Sequence, residues 1–234
     1  MKLGVMLPTF EVSIGPAVAA AKAAEAAGFD GVFAFDHLWP MGHPGLPSLS
    51  LFPVLAAAAG ATTSISIGAL VARIGLEPDE VLEGAFSTLS ALAPGRVIAG
   101  LGTGDQKSEQ EGLAFGLTST ATEPRRQSLA DVAGHLRASG LDVWIGGGRR
   151  ATNSIASSLG CRLNLWAASV ERVASLARGA DVTWGGQLPA NASLATTKLV
   201  DLARAGASWA VVNWKGGLAP LREISEIAEA RLTP

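Results

Sequence analysis

The feature that most constrains the fold of this chain is a regular alternation of short apolar runs with longer stretches of helical pattern. Leu3–Leu7 is an apolar run that Pro8 closes, and the alanine-rich stretch Pro16–Ala27 follows it. Such pairs recur eight times in order. Alternating strand–helix units require a parallel sheet covered by helices. Eight units close most economically into an α/β fold of the (β/α)8 or TIM-barrel type, with a doubly wound open sheet as the alternative.

The predicted elements continue this alternation along the chain. The predicted strands are Leu3–Leu7, Gly31–Phe35, Ser64–Val71, Arg96–Leu101, Asp142–Ile145, Leu163–Trp166, Asp181–Trp184 and Trp209–Asn213. The predicted helices are Pro16–Ala27, Leu51–Ala59, a segment carrying Val81, Leu82, Ala85, Phe86 and Leu89 at helical spacing, Arg125–Ser139, Arg150–Leu159, Val170–Arg178, Leu194–Ala205 and Pro220–Ala230. No linker interrupts the pattern, so we expect a single domain over residues 1–234. A usual barrel has about 250 residues, so this one is expected to be compact. The loosest stretches are predicted at Gly112–Glu123 and Gly185–Ser193.

Composition excludes several classes of protein. The chain is 48% hydrophobic, which allows a sizeable core and excludes general disorder. Its net charge of −2, without a long basic run, argues against a nucleic-acid or membrane partner. The single cysteine, Cys161, cannot form an intramolecular disulfide, and the first residues lack a signal-peptide pattern. We therefore expect a cytoplasmic protein that acts on a small molecule.

One candidate for proton transfer follows the second predicted strand. In barrels of this kind, the residues at the carboxyl ends of the strands build the active site. Asp36 and His37 stand at such an end, and a neutral imidazole can accept a proton near pH 7. Asp36 either orients His37 or caps a turn, and His37 is either an acid–base group or a loop histidine.

A glycine motif ends the fourth predicted strand. Gly102, Thr103 and Gly104 precede Asp105, and such glycines allow backbone N–H groups to approach a ligand or simply form a tight turn. Asp105 and Glu109 are four residues apart, so they would share one face of a helix. Acidic residues at this place also stabilise the N-terminus of a helix.

Three glycines after the fifth predicted strand give a stronger signal for an anion. Gly146, Gly147 and Gly148 lead into a helix that carries Arg149 and Arg150. Open N–H groups at a helix N-terminus, together with nearby cations, bind phosphate. The alternative is a tight turn with two solvated arginines. The run is neither a P-loop nor a GxGxxG fingerprint.

Tryptophans near the ends of four strands can wall a flat ring or belong to an ordinary core. They are Trp39, Trp166, Trp184 and Trp214. His37, His43 and His135 show no metal-ligand spacing, so we predict no metal site.

Taken together, these motifs resemble the bacterial luciferase-like monooxygenase superfamily, in its branch of coenzyme F420 (deazaflavin)-dependent oxidoreductases. The stretches that carry the resemblance are Leu3–Pro8, Ala24–Val32, Phe35–Trp39, Ser66–Gly68, Leu92–Asp105 and Val143–Gly148. They span most of the chain. The run Pro94–Asp105, with Asp36 and His37 after the second strand, is the most specific for the superfamily, and it is less specific for the cofactor.

The resemblance implies a (β/α)8 barrel with F420 lying across its mouth. His37 matches the histidine beside the ring, and Asp105 stands where the family frequently has glutamate. A non-prolyl cis peptide bond that supports the ring is expected between Leu70 and Val71. The glycine run is expected to carry the cofactor phosphate. The residues implied for cofactor binding are Leu70, Val71, Gly102, Thr103, Gly104, Gly146, Gly147, Gly148, Arg149 and Trp166.

The implied activity is hydride transfer between F420 and a small organic substrate. His37 would exchange a proton or steady charge, Asp105 would protonate the ring or polarise the substrate, and Asp36 would orient His37. The alternatives are a monooxygenase that uses FMN, and a protein that binds flavin or F420 without turnover. Family members are commonly longer homodimers, and the length missing here falls between Gly112 and Leu141 and after Trp184, in regions that usually form a lid. Asp105 is also one methylene shorter than glutamate.

Overall fold

A closed barrel of parallel strands forms the centre of the computed structural model, which describes residues 1–40, 42–117 and 121–232. The strands are β1 (Lys2–Met6), β2 (Gly31–Ala34), β3 (Ser66–Ala69), β4 (Ala72–Arg73), β5 (Val97–Gly102), β6 (Asp142–Gly146), β7 (Arg162–Trp166), β8 (Val182–Gly186) and β9 (Ala207–Val212). They pair in the order β3-β2-β1-β9-β8-β7-β6-β5-β4, and β3 also pairs with β5, which closes the barrel. The predicted TIM barrel is confirmed, and the open sheet is excluded.

Helices cover the outside of the barrel. Within the described residues they are α1 (Gly15–Ala26), α2 (Leu51–Ala61), α3 (Asp79–Leu92), α4 (Gln106–Ala114), α5 (Thr122–Ala138), α6 (Arg150–Leu159), α7 (Val170–Ala177), α8 (Ala192–Arg204) and α9 (Leu218–Ala230). Their apolar faces and the outward side chains of the strands form the larger part of the core. None of these helices combines the length and the apolar character that crossing a bilayer requires.

The interior of the barrel is filled by aromatic rings that neighbouring glycines accommodate. The Phe33 ring lies 5.3 Å from the Trp144 ring and 5.8 Å from the Trp209 ring, centroid to centroid. A Cβ atom at Gly4 or Gly68 would come within 2.6 Å or 2.4 Å of the Phe33 ring. The pairing of large residues with glycines therefore packs the barrel solidly below its mouth.

The third strand of the barrel is divided at the site where a cis bond was expected. The Leu70–Val71 peptide bond is cis, which confirms that prediction. The predicted single strand Ser64–Val71 is instead two short strands, β3 before the bond and β4 after it. Both halves pair with β5, through Ile67 with Val97 and through Ala72 with Leu101. The cis bond thus lies between two segments that both belong to the barrel wall.

Helix α4 was not predicted. It begins after Asp105, whose side chain accepts a hydrogen bond from the Ser108 N–H at 2.9 Å, while the Ser108 hydroxyl accepts one from the Asp105 N–H at 2.7 Å. This reciprocal cap is a strong signal for the start of a helix. Among the α4 side chains that the structure describes, the buried ones are Ser108 and Glu111, which are both polar, so the apolar periodicity that marks a helix is absent. The loose stretch predicted at Gly112–Glu123 includes residues 118–120, which lie outside the described residues.

Candidate active site

A cavity of about 270 Å³, here called the mouth cavity, opens at the carboxyl ends of the strands. Its lining residues are Phe35, Asp36, His37, Leu70, Val71, Arg73, Gly102, Thr103, Gly104, Asp105, Ser108, Gly146, Gly147, Asn164 and Trp166. All the predicted site residues except Gly148 and Arg149 are in this set. The volume is near the lower end of the range for small-molecule sites, so the cavity fits a ring system rather than a whole dinucleotide-sized cofactor.

The wall of the mouth cavity at Leu70 and Val71 depends on glycines in the neighbouring strands. A Cβ atom at Gly102 would lie 2.6 Å from Val71 Cγ2, and one at Gly146 would lie 3.4 Å from the same atom. Gly102 is therefore required for packing, because any side chain there would displace Val71. At Gly146 the contact is an ordinary one, so a larger side chain at that position would occupy space at the cavity.

The His37 ring is held by a carboxylate that the sequence did not reveal. Glu111 Oε1 lies 2.7 Å from His37 Nδ1, and Glu111 Oε2 accepts a hydrogen bond from the Leu38 N–H at 3.0 Å. Arg73 Nη1 lies 3.3 Å from the same Oε2 atom. The side chain of Glu111 is only 1% exposed, whereas that of His37 is 17% exposed. Glu111 is thus a buried carboxylate shared by an imidazole, a backbone amide and a guanidinium.

The prediction that Asp36 orients His37 is wrong. The Asp36 carboxylate accepts a hydrogen bond from the backbone N–H of Arg73 at 2.8 Å, and this bond links the end of β2 to β4. Burial raises the pKa of Asp36, while the Arg73 N–H and the charges of Arg73 and His37 lower it. Asp36 therefore secures the divided strand, and the carboxylate in contact with the His37 ring is that of Glu111.

Arg73 connects helix α4 to the divided strand. Its Nη1 atom donates a hydrogen bond to the Ser108 carbonyl oxygen at 2.8 Å. Its Nε and Nη2 atoms are buried and have no hydrogen-bond partner within the part of the chain that the structure describes. Nothing in the sequence alone indicates this role for Arg73. Its charge balances that of Glu111, so the two residues can remain buried together.

Asp105 is at the rim of the mouth cavity, where it caps α4. Its Oδ1 atom accepts hydrogen bonds from the Ser108 N–H at 2.9 Å and from the Ser108 hydroxyl at 3.0 Å. The alternative that this acid stabilises the N-terminus of a helix is confirmed. Asp105 also lines the mouth cavity, and its role in catalysis stays a prediction.

Aromatic rings line one side of the mouth cavity. The Phe35 ring lies 5.3 Å from the Trp166 ring in an edge-to-face arrangement and 6.0 Å from the His37 ring. Phe10 stacks on the other side of Phe35 at 5.9 Å. Trp166 is 40% exposed, as suits a residue that could cover a flat ligand, and its place at the site agrees with the prediction. Trp184, by contrast, is a core residue whose Nε1 atom donates to the Ala168 carbonyl oxygen.

The glycine run is placed as predicted, but two of its N–H groups are already bonded. The Gly147 N–H donates to the Asn164 carbonyl oxygen at 2.8 Å, and the Gly148 N–H donates to Asn153 Oδ1 at 3.1 Å. Arg149 is the residue before α6, and it provides no side-chain cap to that helix. The N–H groups of Gly147 and Gly148 are therefore engaged within the protein, and an anion here would depend on the N–H groups that the start of a helix leaves unpaired.

A second and larger cavity of about 740 Å³, here called the side cavity, lies next to the mouth cavity. Asp36, His37 and Arg73 line both cavities. The rest of its wall is mainly apolar and comes from the segment before α2, the start of α3 and the end of α4. These apolar residues include Leu38, Trp39, Leu46, Pro47, Leu49, Leu51, Phe52, Leu76, Leu82, Phe115 and Leu117. His37 is thus accessible to ligands on two sides.

Comparisons with known proteins agree with this geometry. A family model described as luciferase-like monooxygenase matches residues 1–138. The F420-dependent glucose-6-phosphate dehydrogenase of Beutenbergia cavernae is 43% identical over 88 residues, which are 37% of this chain and 26% of that protein. The F420-dependent hydroxymycolic acid dehydrogenase of Mycobacterium tuberculosis is 40% identical over 114 residues, which are 46% of this chain and 30% of that protein. The matches therefore span less than a third of these curated relatives.

Solved structures share the fold over nearly the whole chain. A structure of an F420-dependent secondary alcohol dehydrogenase in complex with an F420–acetone adduct has a TM-score of 0.81 and 14% identity, and covers 97% of this chain and 98% of that chain. The monooxygenase RslO1 from Streptomyces bottropensis has a TM-score of 0.78 and 14% identity, and covers 99% of each chain. At this identity the likeness concerns the fold alone.

Proposed function

Because this chain belongs to the luciferase-like monooxygenase family, we propose that it is an F420-dependent oxidoreductase acting on a small organic substrate. The observation that carries the proposal is the convergence of the cis Leu70–Val71 bond, the Gly102–Asp105 motif and His37 on one cavity. The curated relatives with similar sequences are named as F420-dependent dehydrogenases, which favours F420 over FMN.

The residues of the mouth cavity fit a flat redox ring. Leu70 and Val71 supply an apolar wall, and Trp166 stands at the open side with its ring partly exposed. The cavity volume of about 270 Å³ accommodates the ring but not the whole cofactor. The phosphate end would extend past Gly148 and Arg149 to the first turn of α6. When bound there, the deazaflavin would supply hydride transfer, and the protein would supply position and electrostatics.

His37 is the group that we assign to proton transfer. Oxidation of an alcohol to a carbonyl removes a hydride from carbon and a proton from oxygen, and the proton needs an acceptor within hydrogen-bond reach. His37 Nδ1 is bonded to Glu111, so Nε2 is the ring atom left for the substrate oxygen. In the reverse direction the same atom returns the proton to the carbonyl oxygen.

The side cavity is the place that we assign to the substrate. It shares His37 with the mouth cavity, so a substrate in it would be close to both the imidazole and the ring. Arg73 is the one cation among its described lining residues, and its Nη1 atom is engaged by Ser108 and Glu111. Asp36 and Glu77 add negative charge. This wall favours an uncharged, largely apolar alcohol or carbonyl compound over a sugar phosphate.

A titration followed by absorbance tests the cofactor. We expect F420 to bind in the micromolar range and FMN to bind more weakly. The Gly146→Val variant should weaken F420 binding at least tenfold, because the added side chain occupies space beside Val71. Gly84→Val is the matched control, since Gly84 lies on α3 with nothing near its Cβ position. Binding of FMN without F420 would instead support the monooxygenase alternative.

Measuring turnover distinguishes an enzyme from a protein that binds F420 without catalysing a reaction. Reduced or oxidised F420 would be mixed with a panel of uncharged secondary alcohols and ketones and with sugar phosphates. We expect a change in the F420 absorbance that depends on an added uncharged substrate. Binding of F420 without any substrate-dependent change across the panel would favour the protein without turnover.

A further inference from the structure

We infer that Glu111 is a positioning residue that fixes which nitrogen of His37 carries a proton. The inference rests on the proposed function only for its effect on turnover. Its structural part concerns the protein alone and can be tested without cofactor or substrate.

Three donors share one buried carboxylate. The Leu38 N–H at 3.0 Å and Arg73 Nη1 at 3.3 Å both approach Oε2, and His37 Nδ1 lies 2.7 Å from Oε1. The backbone amide and the guanidinium always carry their protons, and an ionised carboxylate only accepts hydrogen bonds. The contact at Oε1 therefore requires a proton on Nδ1 of His37.

This arrangement leaves the other side of the imidazole for chemistry. With its proton on Nδ1, the neutral ring presents an unprotonated Nε2 atom, which is a proton acceptor. Nε2 has no hydrogen-bond partner among the described residues, and His37 lines both cavities. Glu111 would thus prepare His37 as a base without contacting the substrate.

Arg73 holds the Glu111 carboxylate in place. It approaches Oε2 and also donates to the Ser108 carbonyl oxygen at 2.8 Å, so α4 and its Glu111 are tied to β4. β4 directly follows the Leu70–Val71 bond, which forms a wall of the mouth cavity. Arg73 therefore connects the Glu111 carboxylate to that wall. A buried carboxylate needs such a partner charge to remain ionised.

Replacing Glu111 with glutamine gives a specific expectation. The glutamine side chain has one carbonyl oxygen and one NH2 group. Its oxygen must occupy the position of Oε2, because the Leu38 N–H and Arg73 would otherwise face another donor. The NH2 group then faces Nδ1, which must accept. Glu111→Gln should therefore move the His37 proton from Nδ1 to Nε2.

The experiment is ¹⁵N NMR of histidine-labelled protein without cofactor, at a pH well above the ordinary pKa of an imidazole. His43→Gln in all samples leaves two histidines to assign, His37 and His135. We expect His37 to be protonated on Nδ1 in the unmodified site and on Nε2 in Glu111→Gln. Protonation on Nε2 in the unmodified site would overturn the inference, and this outcome does not require any variant of Glu111 to fold.

Glu83→Gln is the matched control. Glu83 Oε1 lies 2.8 Å from His135 Nδ1, but this pair is exposed. The substitution should change the His135 resonances and leave those of His37 unchanged. Glu111→Asp keeps the charge, and we expect it to retain the Nδ1 proton on His37. Thermal unfolding of each variant shows whether the fold is kept. An unchanged His37 tautomer in folded Glu111→Gln would contradict the inference.

Turnover supplies the second readout. Once an F420-dependent activity is measured, Glu111→Gln should lower kcat about 10²–10⁴-fold, the range for a positioned general acid or base. KM for F420 should change less than threefold. A chain that shows the expected tautomers but no F420 turnover would refute the proposed function and leave the positioning of His37 intact. Full turnover in Glu111→Gln with the tautomer inverted would refute the role of the tautomer in catalysis.

Discussion

Two histidine–glutamate pairs in this chain have nearly the same geometry but differ in their surroundings. The Nδ1–Oε1 distance is 2.7 Å between His37 and Glu111 and 2.8 Å between His135 and Glu83. The Glu111 side chain is 1% exposed and shares two further donors, whereas the Glu83 side chain is 28% exposed on the outer helices. The distance alone therefore does not define a functional pair, because the burial of the carboxylate and its other donors decide which groups it holds in place.

The exposed pair has a simple electrostatic effect. The hydrogen bond and the charge of Glu83 raise the pKa of His135. The stabilisation from this pair is therefore fully present below the pKa of an unfolded histidine and is lost as the pH rises through the raised pKa. Because water surrounds the pair, its contribution to stability is small. Neither residue of this pair lines the mouth cavity or the side cavity.

The largest expected effect distinguishes the two histidines by turnover. His37→Ala should lower F420-dependent turnover about 10²–10⁴-fold, because it removes the proposed proton acceptor. Binding of F420 should be retained. His135→Ala should leave both properties unchanged, since His135 lies on α5 outside both cavities. Steady-state kinetics and absorbance titrations provide the measurements. Equal losses in the two variants would remove His37 from the mechanism.

The second effect distinguishes the two glutamates by stability. Glu111→Ala leaves the buried Arg73 without its carboxylate, and breaking a buried pair in this way costs about 3–5 kcal/mol. Glu83→Ala breaks an exposed pair that water screens, so it should cost much less than Glu111→Ala. Urea unfolding at pH 7 measures the free energy of unfolding of each variant. Similar losses would show that the Glu111 site is hydrated and would contradict the account of a buried network.

How far the sequence predicts this molecule can be judged from particular residues. The alternation of apolar runs and helical stretches predicts the barrel, because each strand and helix carries its own pattern. The position of His37 could also be predicted, since it follows a recognisable strand. The resemblance to a known family, rather than a local pattern, predicted the cis bond between Leu70 and Val71. Glu111 could not be predicted, because α4 turns polar residues inward and has no apolar periodicity.

The other features that the sequence did not predict are contacts between distant segments of the chain. Asp36 follows directly after the second strand, yet its partner is the backbone of Arg73, and nothing in the local sequence indicates this bond. Similarly, Asn153 reaches back from α6 to the Gly148 N–H, so the glycine run provides fewer open donors than its composition predicts. The available signal for α4 was the reciprocal cap formed by Asp105 and Ser108.

Variants of a third carboxylate, Asp105, separate its capping of α4 from a role in turnover. Asp105→Ala should lower the free energy of unfolding by about 1 kcal/mol through loss of the α4 cap. Asp105→Asn keeps a good capping oxygen and should change stability by a few tenths of a kcal/mol. A loss of turnover in Asp105→Asn would then belong to the acid itself, and we expect it to be smaller than that of His37→Ala. Equal destabilisation by Ala and Asn would contradict the capping role.

The smallest expected effect on stability concerns Glu25, a carboxylate near the surface that accepts several hydrogen bonds. Glu25 Oε1 accepts hydrogen bonds from the N–H groups of Thr63, Ser64 and Ile65 and from the Ser64 hydroxyl. The backbone hydrogen bond from Ser64 is the main cause that lowers the pKa of Glu25, from 4.5 to about 2. Its stabilisation should be present above pH 4.5 and be lost as the pH falls toward 2.

The Glu25→Gln variant measures this small effect. Thermal unfolding across that pH range should show a steeper loss of stability in the unmodified chain than in the variant, because glutamine does not titrate. Parallel curves would show that Glu25 is not tied to the loop before β3. The result would also show how strongly several hydrogen-bond donors lower the pKa of a carboxylate that is in contact with water.

The most direct test of the central claim is the ¹⁵N and ¹H NMR response of the two histidines when F420 is added. If F420 occupies the mouth cavity, its ring lies beside His37 and should shift the His37 resonances at micromolar concentrations while those of His135 stay unchanged. Saturable binding of F420 that leaves His37 unaffected would contradict the claim that this imidazole faces the cofactor.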